Sequence, residues 1–401
     1  MLAETWLLEF AKGAGRFFLN PVIYFSIILA VMAGWLRVKR ERKDFHVRVH
    51  GMLHELKLLL PAGLAAGAVL SIIAVATGFT VPFLFIAAAG LCTIVLGAAG
   101  NARLLSPAFT AGLAFFIVFF MQTFDWSIPG ISESAGFLSD RLLAGAALAV
   151  GILLIAESFL MFGDGDRDIS PKLRPSRRGL IVGAHQAKRL WLLPVFLFIP
   201  VGEVQAPFSW WPVIEWGTSS YTVFLVPFLL GFLQQVQSML PERSIKLAAR
   251  EVLWLGLLVT GAAAAGFWVY PSVMAAVAAA LAIIGRALIS WRHRTREGWN
   301  PYYFAPRNSG IMVLGTIPDS PADRMGLSAG EIIQKCNGLP VRSKQDLYEA
   351  LLENRAYCKL EVYDVNGEIR LLQRALYEGD HHELGILFIE ERHKPDAGEA
   401  G

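Results

Sequence analysis

Residues 311–327 read Ile311-Met-Val-Leu-Gly-Thr-Ile-Pro-Asp-Ser320-Pro-Ala-Asp-Arg-Met-Gly326-Leu327, followed by Gly330-Glu-Ile-Ile333 and Asn337-Gly338. Ile311–Ile317 is apolar and β-branched enough for a buried strand. Ser320 suits a helix N-cap and Pro321 the first helical position, so Ser-Pro-Ala opens a short helix. Gly326 ends it, because glycine adopts a positive φ at little cost. Ile332 and Ile333 begin a second strand that turns at Asn337-Gly338. Ser343 caps a helix over 344–353 with Leu347, Ala350 and Leu351 on one face. Leu360–Val365, Asn366-Gly367 and Ile369–Leu376 form a second hairpin. These signals define a small α+β domain over 308–391.

Upstream the chain changes character. Hydrophobic residues make up 55% of the 401 residues and charged ones 17%, with a mean hydropathy of +0.48. Such a composition indicates a polytopic membrane protein. A crossing helix needs about 20 mostly apolar residues. Windows of that kind fall at 18–36, 58–78, 81–99, 105–122, 142–162, 190–207, 219–240, 252–269 and 272–290. The sequence therefore predicts a multi-pass α-helical membrane domain of about nine helices over 1–291. A linker over 292–307, the α+β domain and a disordered tail over 392–401 follow. Leu190–Pro207 contains Pro194, Pro200 and Glu203 and reads as a short or broken helix. Residues 1–16 mix Trp6, Leu7, Leu8 and Phe10 with charges and fit an interfacial segment.

The net charge of +3 is explained by topology and gives no reason to expect nucleic-acid binding. Arg37, Lys39, Arg40, Arg42, Lys43, Arg48 and Lys57 follow the first window. Arg167, Lys172, Arg174, Arg177, Arg178, Lys188 and Arg189 lie between the fifth and sixth. Arg103, the group Arg243, Lys246 and Arg250, and the group Arg292, Arg294 and Arg296 mark three more ends. The alternate loops lack Lys and Arg: Gln122–Asp140 carries Asp125, Glu133 and Asp140, and Gly202–Ser219 carries Glu203 and Glu215. The positive-inside rule then puts the α+β domain in the cytoplasm and the N-terminus outside. The first apolar run ends in a basic cluster without a small-residue cleavage site and reads as a permanent anchor. Cys92, Cys336 and Cys358 imply no disulfide framework.

The search for chemistry is negative. Glu157 is the clear ionisable residue at membrane depth, near a helix end where a polar neighbour can satisfy it. Gln234, Gln235 and Gln237 read as hydrogen-bonding links between helices. His54-Glu55-Leu56-Lys57-Leu58 and His382-Glu383-Leu384-Gly385-Ile386 each lack the second histidine of a zinc protease. Gly217-Thr-Ser-Ser is an external turn and makes no nucleophile elbow. Asp164-Gly-Asp166-Arg-Asp168 opens like a calcium loop, but Ile169 stands where glycine is needed and Pro175 where glutamate is. It reads as a solvated acidic helix end. No phosphate or dinucleotide fingerprint is present. No enzyme, cofactor, metal or small-molecule substrate is expected.

The turns and caps of 311–338 resemble the bacterial PDZ pattern. PDZ domains bind peptides at a Gly-Leu-Gly-Phe-like loop followed by a strand whose free edge pairs with the ligand. Glu383-Leu384-Gly385-Ile386-Leu387-Phe388 resembles that element and comes last, which implies a circularly permuted order. The resemblance puts a peptide groove between Leu384, Gly385, Ile386, Leu387 and Phe388 and the helix face of Leu347 and Leu351. His381 and His382 would add positive charge beside a ligand carboxylate. The other reading makes Leu384–Ile389 a core strand, with the edge covered by the Trp299–Arg307 linker and its Tyr302, Tyr303 and Phe304.

Both ends of the chain carry a further resemblance. Ala14-Gly-Arg-Phe-Phe-Leu-Asn-Pro21 leads into the first helix, and Arg37-Val-Lys-Arg-Glu-Arg-Lys-Asp-Phe-His46 follows it. Tyr303-Phe304-Ala305-Pro306, Asn354–Leu360 and Ala375–Gly385 complete it. The chain resembles the MinJ family of division-topology proteins of Bacillus-type Firmicutes. That resemblance implies a membrane bridge between a DivIVA-type scaffold and MinD, holding the MinC–MinD inhibitor of FtsZ at septa and poles. A regulator of membrane proteolysis and a transporter with a regulatory PDZ domain are the alternatives.

Overall fold

Proline opens much of the helical structure, as its fixed φ and missing N–H favour a first turn. The computed structural model describes residues 2–126, 139–176, 179–208, 211–212, 220–307, 309–354, 357–376 and 384–389. Helix α1 (Leu2–Leu19) is followed by α2 (Pro21–Phe45), where Asn20 Oδ1 accepts from Val22 N at 3.0 Å. Next come α3 (His54–Leu59), α4 (Pro61–Thr77), α5 (Phe83–Ala98), a 3-10 turn at Ala102–Leu105, α6 (Pro107–Thr123) and α7 (Asp140–Asp164). After three strands come α8 (Pro241–Ala265) and α9 (Pro271–Trp299). Five of these stretches, α2, the continuous α3–α4, α7, α8 and α9, are long and apolar enough to cross a membrane, with α5 and α6 shorter. The protein is a multi-pass membrane protein. Helix α9 continues to Trp299, into the stretch read as linker.

The three strands correct the sequence reading. Windows 190–207 and 219–240 are extended chain instead of helices. Strand β2 (Ile181–Gln205) pairs antiparallel with β3 (Ser220–Val236), and the short β1 (Ser170–Pro175) pairs with the start of β2. Pro194 faces Pro227 in the register. Proline there breaks a helix, but it is tolerated on a strand where its nitrogen faces away from the partner. From Leu190 to Pro200 the hairpin extends roughly 33 Å at about 3.3 Å per residue, close to the roughly 30 Å of a bilayer core.

An open sheet edge in lipid would leave backbone groups without partners, and here neighbouring elements cover it. On β2, alternate residues turn their backbone outward. Gly63 and Gly67 of α4 let the helix backbone approach the carbonyls of Leu192 and Pro194. A Cβ on Gly67 would stand 2.5 Å from the Pro194 oxygen. Ser71 completes this stripe at every fourth residue. Its hydroxyl donates to Gly67 O at 2.7 Å and accepts from Phe196 N at 2.9 Å. Beyond it, Val81 N donates to Phe198 O and Phe198 N to Phe79 O. On the β3 edge, Arg16 donates to Val223 O at 3.1 Å and Arg103 to Leu233 O at 2.8 Å. The N-terminal segment is thus helix α1 laid along β3. Its Trp6 and Phe10 pack with Phe198 and Trp211, and its buried Glu9 is paired with Lys12 at 2.7 Å.

Glu157 has a partner that the sequence reading overlooked. Arg286, inside window 272–290, donates through Nη2 to Glu157 Oε1 at 2.8 Å. Ser106 Oγ donates to Glu157 Oε2 at 2.6 Å and accepts from Arg286 Nε at 3.1 Å. This buried triad joins α7, α9 and the start of α6. Gln234 and Gln235 lie on β3 and Gln237 directly follows it; Gln234 donates to Ser244 of α8 and Gln237 to the Glu297 carbonyl of α9. Asp164 is also buried, not solvated, and its Oδ2 accepts the Trp191 indole N–H at 2.9 Å.

The C-terminal domain follows the predicted turns. It contains β4 (Ile311–Thr316), α10 (Pro321–Arg324), β5 (Ile332–Cys336), β6 (Leu339–Pro340) and α11 (Lys344–Glu353). It ends with β7 (Tyr357–Tyr363), β8 (Ile369–Ala375) and β9 (Ile386–Phe388). The sheet order is β8-β7-β5-β4-β9, with β6 beside β5. Ser320 and Ser343 cap their helices, the latter in a reciprocal capping box with Asp346. Asn337 and Gly338 take φ of 51° and 87°, as a tight hairpin turn requires. The result is an α+β, PDZ-like domain whose last strand joins its first.

Candidate functional site

Around β4 and the start of β5 the two faces of the C-terminal sheet are both buried, against different partners, whereas β7 and β8 keep one face exposed. Strand alternation sends Ile311, Val313 and Ile333 into the domain's own core with Leu347, Leu351, Leu384, Ile386 and Phe388. Of the residues read as groove walls, these five share one cluster. Leu387 is buried outside that cluster, near Gly315. Strand β9 pairs with β4 on one side, and no strand pairs with its outer edge among the described residues. His381 and His382 lie outside the described residues.

Leu384 and Gly385 form the turn that leads into the edge strand, with φ of 50° and 74°. A left-handed leucine costs roughly 1–2 kcal/mol, and the surroundings hold it. Leu384 O accepts from Ala322 N at 3.0 Å and Gly385 O from Ile317 N at 2.8 Å. A Cβ on Gly385 would collide with the Ser320 side chain, so this glycine is required by packing as well as by φ. Substituting it tests folding before it tests binding.

The other sheet face docks on the membrane body. Met312, Leu314 and Ile332 gather with Phe304. Phe45 of α2, Leu173 of β1 and Leu240 ahead of α8 pack on this cluster, as do Tyr303 and Ile389. Tyr303 and Phe304 thus cover the sheet's outer face instead of the β9 edge. Gly183 N donates to Phe304 O at 2.9 Å and Tyr303 N to Gln237 O at 2.9 Å. His185 Nε2 lies 2.8 Å from Leu314 O and its ring packs on Phe304 at 4.5 Å. Burial pushes this imidazole down to about 4, against the raising effect of the Leu314 carbonyl, so near neutral pH it is an uncharged N–H donor. This docking face was missed in the sequence. Its signal was the unbroken apolar run Ile311–Leu314, which marks a strand buried on both sides.

The described residues that come nearest to a metal site are His50, His54 and Asp168, whose donor atoms lie within 4.8 Å of one another. Arg189 already lies 3.7 Å from Asp168, and His54 Nε2 is 3.2 Å from the same oxygen. Burial, His54 and Arg37 push His50 down to about 4. The positive field that lowers it also opposes a divalent cation, so the cluster serves as a latch between the α2–α3 and α7–β1 connections. Cys336 and Cys358 are free and buried.

No family model matches the chain. It is 39% identical over 402 residues to the cell division topological determinant MinJ of Bacillus subtilis (strain 168), with 100% of both chains covered. It is 27% identical over 391 residues to the probable cell division topological determinant MinJ of Lacticaseibacillus paracasei, covering 93% of this chain and 97% of that one. A 66-residue stretch is 39% identical to the serine protease HTRA3 of Mus musculus, covering 16% of this chain and 14% of that one. That short match agrees with the PDZ-like architecture and is too limited to carry a proteolytic activity across. Full-length coverage at 39% identity decides the family: the chain belongs to the MinJ family of cell division topological determinants.

Proposed function

We propose that the protein is a non-enzymatic membrane adaptor that couples a DivIVA-type septal and polar scaffold to MinD, and so to the MinC–MinD inhibitor of FtsZ. The observation that carries this reading is a strand edge, unpaired among the described residues, on a PDZ-like domain fastened to a membrane body. The groove would lie along Leu384–Phe388 beside α11, and a ligand there would add a strand to β9. The alternation of basic loops with loops lacking Lys and Arg supports a cytoplasmic C-terminal domain and an external N-terminus. Confinement to the membrane raises the effective concentration for a membrane-bound partner, so modest affinity suffices.

A fluorescent fusion to the full chain tests this. It should concentrate at septa and poles, lose that pattern when the scaffold is deleted, and crosslink to MinD in living cells. Uniform membrane fluorescence, with normal division in a deletion strain, would overturn the adaptor reading.

A further inference from the structure

A cavity of about 360 Å³ opens between the end of β3, the 3-10 turn, β1, α8 and the last turns of α9. Four arginines line it: Arg103, Arg174, Arg286 and Arg294, against one carboxylate, Glu297. Arg286 and Arg103 form its inner part, and Arg174 and Arg294 are exposed at its mouth.

The positive charge is only partly balanced. Glu157 pairs with Arg286. The Glu297 carboxylate is taken up by the backbone N–H groups of Gln237 at 2.7 Å and Ser238 at 2.9 Å. Arg103 spends its Nε on the Leu233 carbonyl. Arg174 and Arg294 have no carboxylate within 4 Å among the described residues. Burial lowers the pKa of Arg103, and the neighbouring charges of Arg294 and Arg286 lower it further. Two more lining residues each hold a buried side-chain atom without a hydrogen-bond partner among the described residues, the donor Nε2 of Gln235 and the acceptor Oε1 of Gln237. Like charges crowded beside the orphaned Gln235 Nε2 donor imply an anion that completes the site.

The wall chemistry says where that anion comes from. Phe232, Leu233 and Ile289 line the same cavity as the arginines. On α9 the exposed Ile284 and Leu288 give way to Trp291 and Trp299, the order expected where a helix leaves the hydrocarbon for the headgroup layer. Guanidinium forks match phosphate oxygens in pairs, and basic pockets between membrane helices suit anionic headgroups.

We propose that this cavity binds the phosphate headgroup of an anionic phospholipid. Gln237 lines it and also accepts the Tyr303 N–H that helps dock the C-terminal domain. A bound lipid would therefore brace the joint between body and domain, whichever partners that domain takes.

The test uses the full chain purified in detergent, with lipid retention read by native mass spectrometry. Phosphatidylglycerol and cardiolipin should be retained and phosphatidylcholine lost. Arg174→Gln/Arg294→Gln should weaken retention by at least about tenfold. Arg292→Gln/Arg296→Gln, which removes two arginines that pair with Glu251 outside the cavity, should leave it unchanged. If the first double variant melts early, Arg294→Gln alone should still weaken retention by roughly threefold. Equal loss in both double variants, or equal retention of phosphatidylcholine, would overturn the proposal. Displacement of lipid by millimolar inorganic phosphate would assign the cavity to a soluble phosphate instead.

Discussion

The molecule contains two sheets built under opposite solvent rules. In the C-terminal domain, water lets strand edges stay open, and apolar side chains gather in one core apart from the cluster that docks on the body. In the membrane body, apolar side chains gain little by leaving lipid, so backbone and buried polar groups must find partners inside the protein. The β2–β3 hairpin meets that demand with a Gly63–Gly67–Ser71 stripe on one edge and Arg16 and Arg103 on the other. Stability in the body should therefore respond most to polar contacts, while the C-terminal domain should obey the ordinary rules of soluble proteins.

The largest effect is expected at Glu157 and Arg286. Removing one partner strands a buried charge, so Glu157→Leu or Arg286→Leu alone should cost about 3–5 kcal/mol. The double Leu variant should recover most of that loss. Thermal melting of the full chain in nanodiscs measures it; single variants as stable as the parent would mean that the triad is hydrated and the contrast between the two sheets is weaker than drawn.

The joint between the sheets comes next. His185 has its pKa depressed by burial in the folded state to about 4, from about 6.5 when exposed. An undocked imidazole takes up a proton as pH falls through 6.5, while the docked one resists until about 4. The stabilisation is fully present above pH 6.5 and declines towards pH 4, by roughly 3 kcal/mol at most. Spin labels at Lys43 and Glu353 should therefore report a lengthening distance between pH 7 and 5. His185→Gln keeps a donor without the titration and should flatten that response. An unchanged distance in the parent protein would show that docking does not depend on this imidazole.

Legibility followed the same divide. In the C-terminal domain, Ser320, Gly326, Ser343 and Asn337-Gly338 announced caps and turns, because each solves a local backbone problem. The permuted edge was legible through Leu384-Gly385-Ile386-Leu387-Phe388. The docking face was not, although four apolar residues in a row at Ile311–Leu314 pointed to it. In the body, a strand with apolar residues on both faces shows no period-2 contrast, and its length imitates a crossing helix. Pro194, Pro200 and Pro227 were the available warning. Arg286 escaped notice because its window is otherwise apolar. The signal for it was Glu157, whose buried carboxylate required a cation elsewhere in the body.

Ser71 sharpens the comparison at the level of one hydroxyl. Ser71→Ala would leave the outward N–H of Phe196 without its acceptor, at a cost of about 1–3 kcal/mol for a buried unsatisfied donor. Protection of the Phe196 amide from hydrogen exchange should fall in the variant. Unchanged protection would mean that water or lipid headgroups reach the hairpin edge.

The smallest effect belongs to a serine of the same kind in the other sheet's domain. Ser343 Oγ accepts the Asp346 N–H at 3.1 Å at the start of α11, and Asp346 Oδ2 accepts the Ser343 N–H at 3.1 Å. Both groups are exposed, so water replaces what Ser343→Ala removes. The expected loss is about 1 kcal/mol. Thermal melting followed through the C-terminal domain should shift by a few degrees, with the body's transition unmoved. The two alanine variants thus remove one hydroxyl each, and only the environment differs. If Ser343→Ala proved as damaging as Ser71→Ala, burial of the edge would not be what separates the two sheets. The α11 cap would then be holding more than its own first turn, with the Leu347 and Leu351 face of the proposed groove the first place to look.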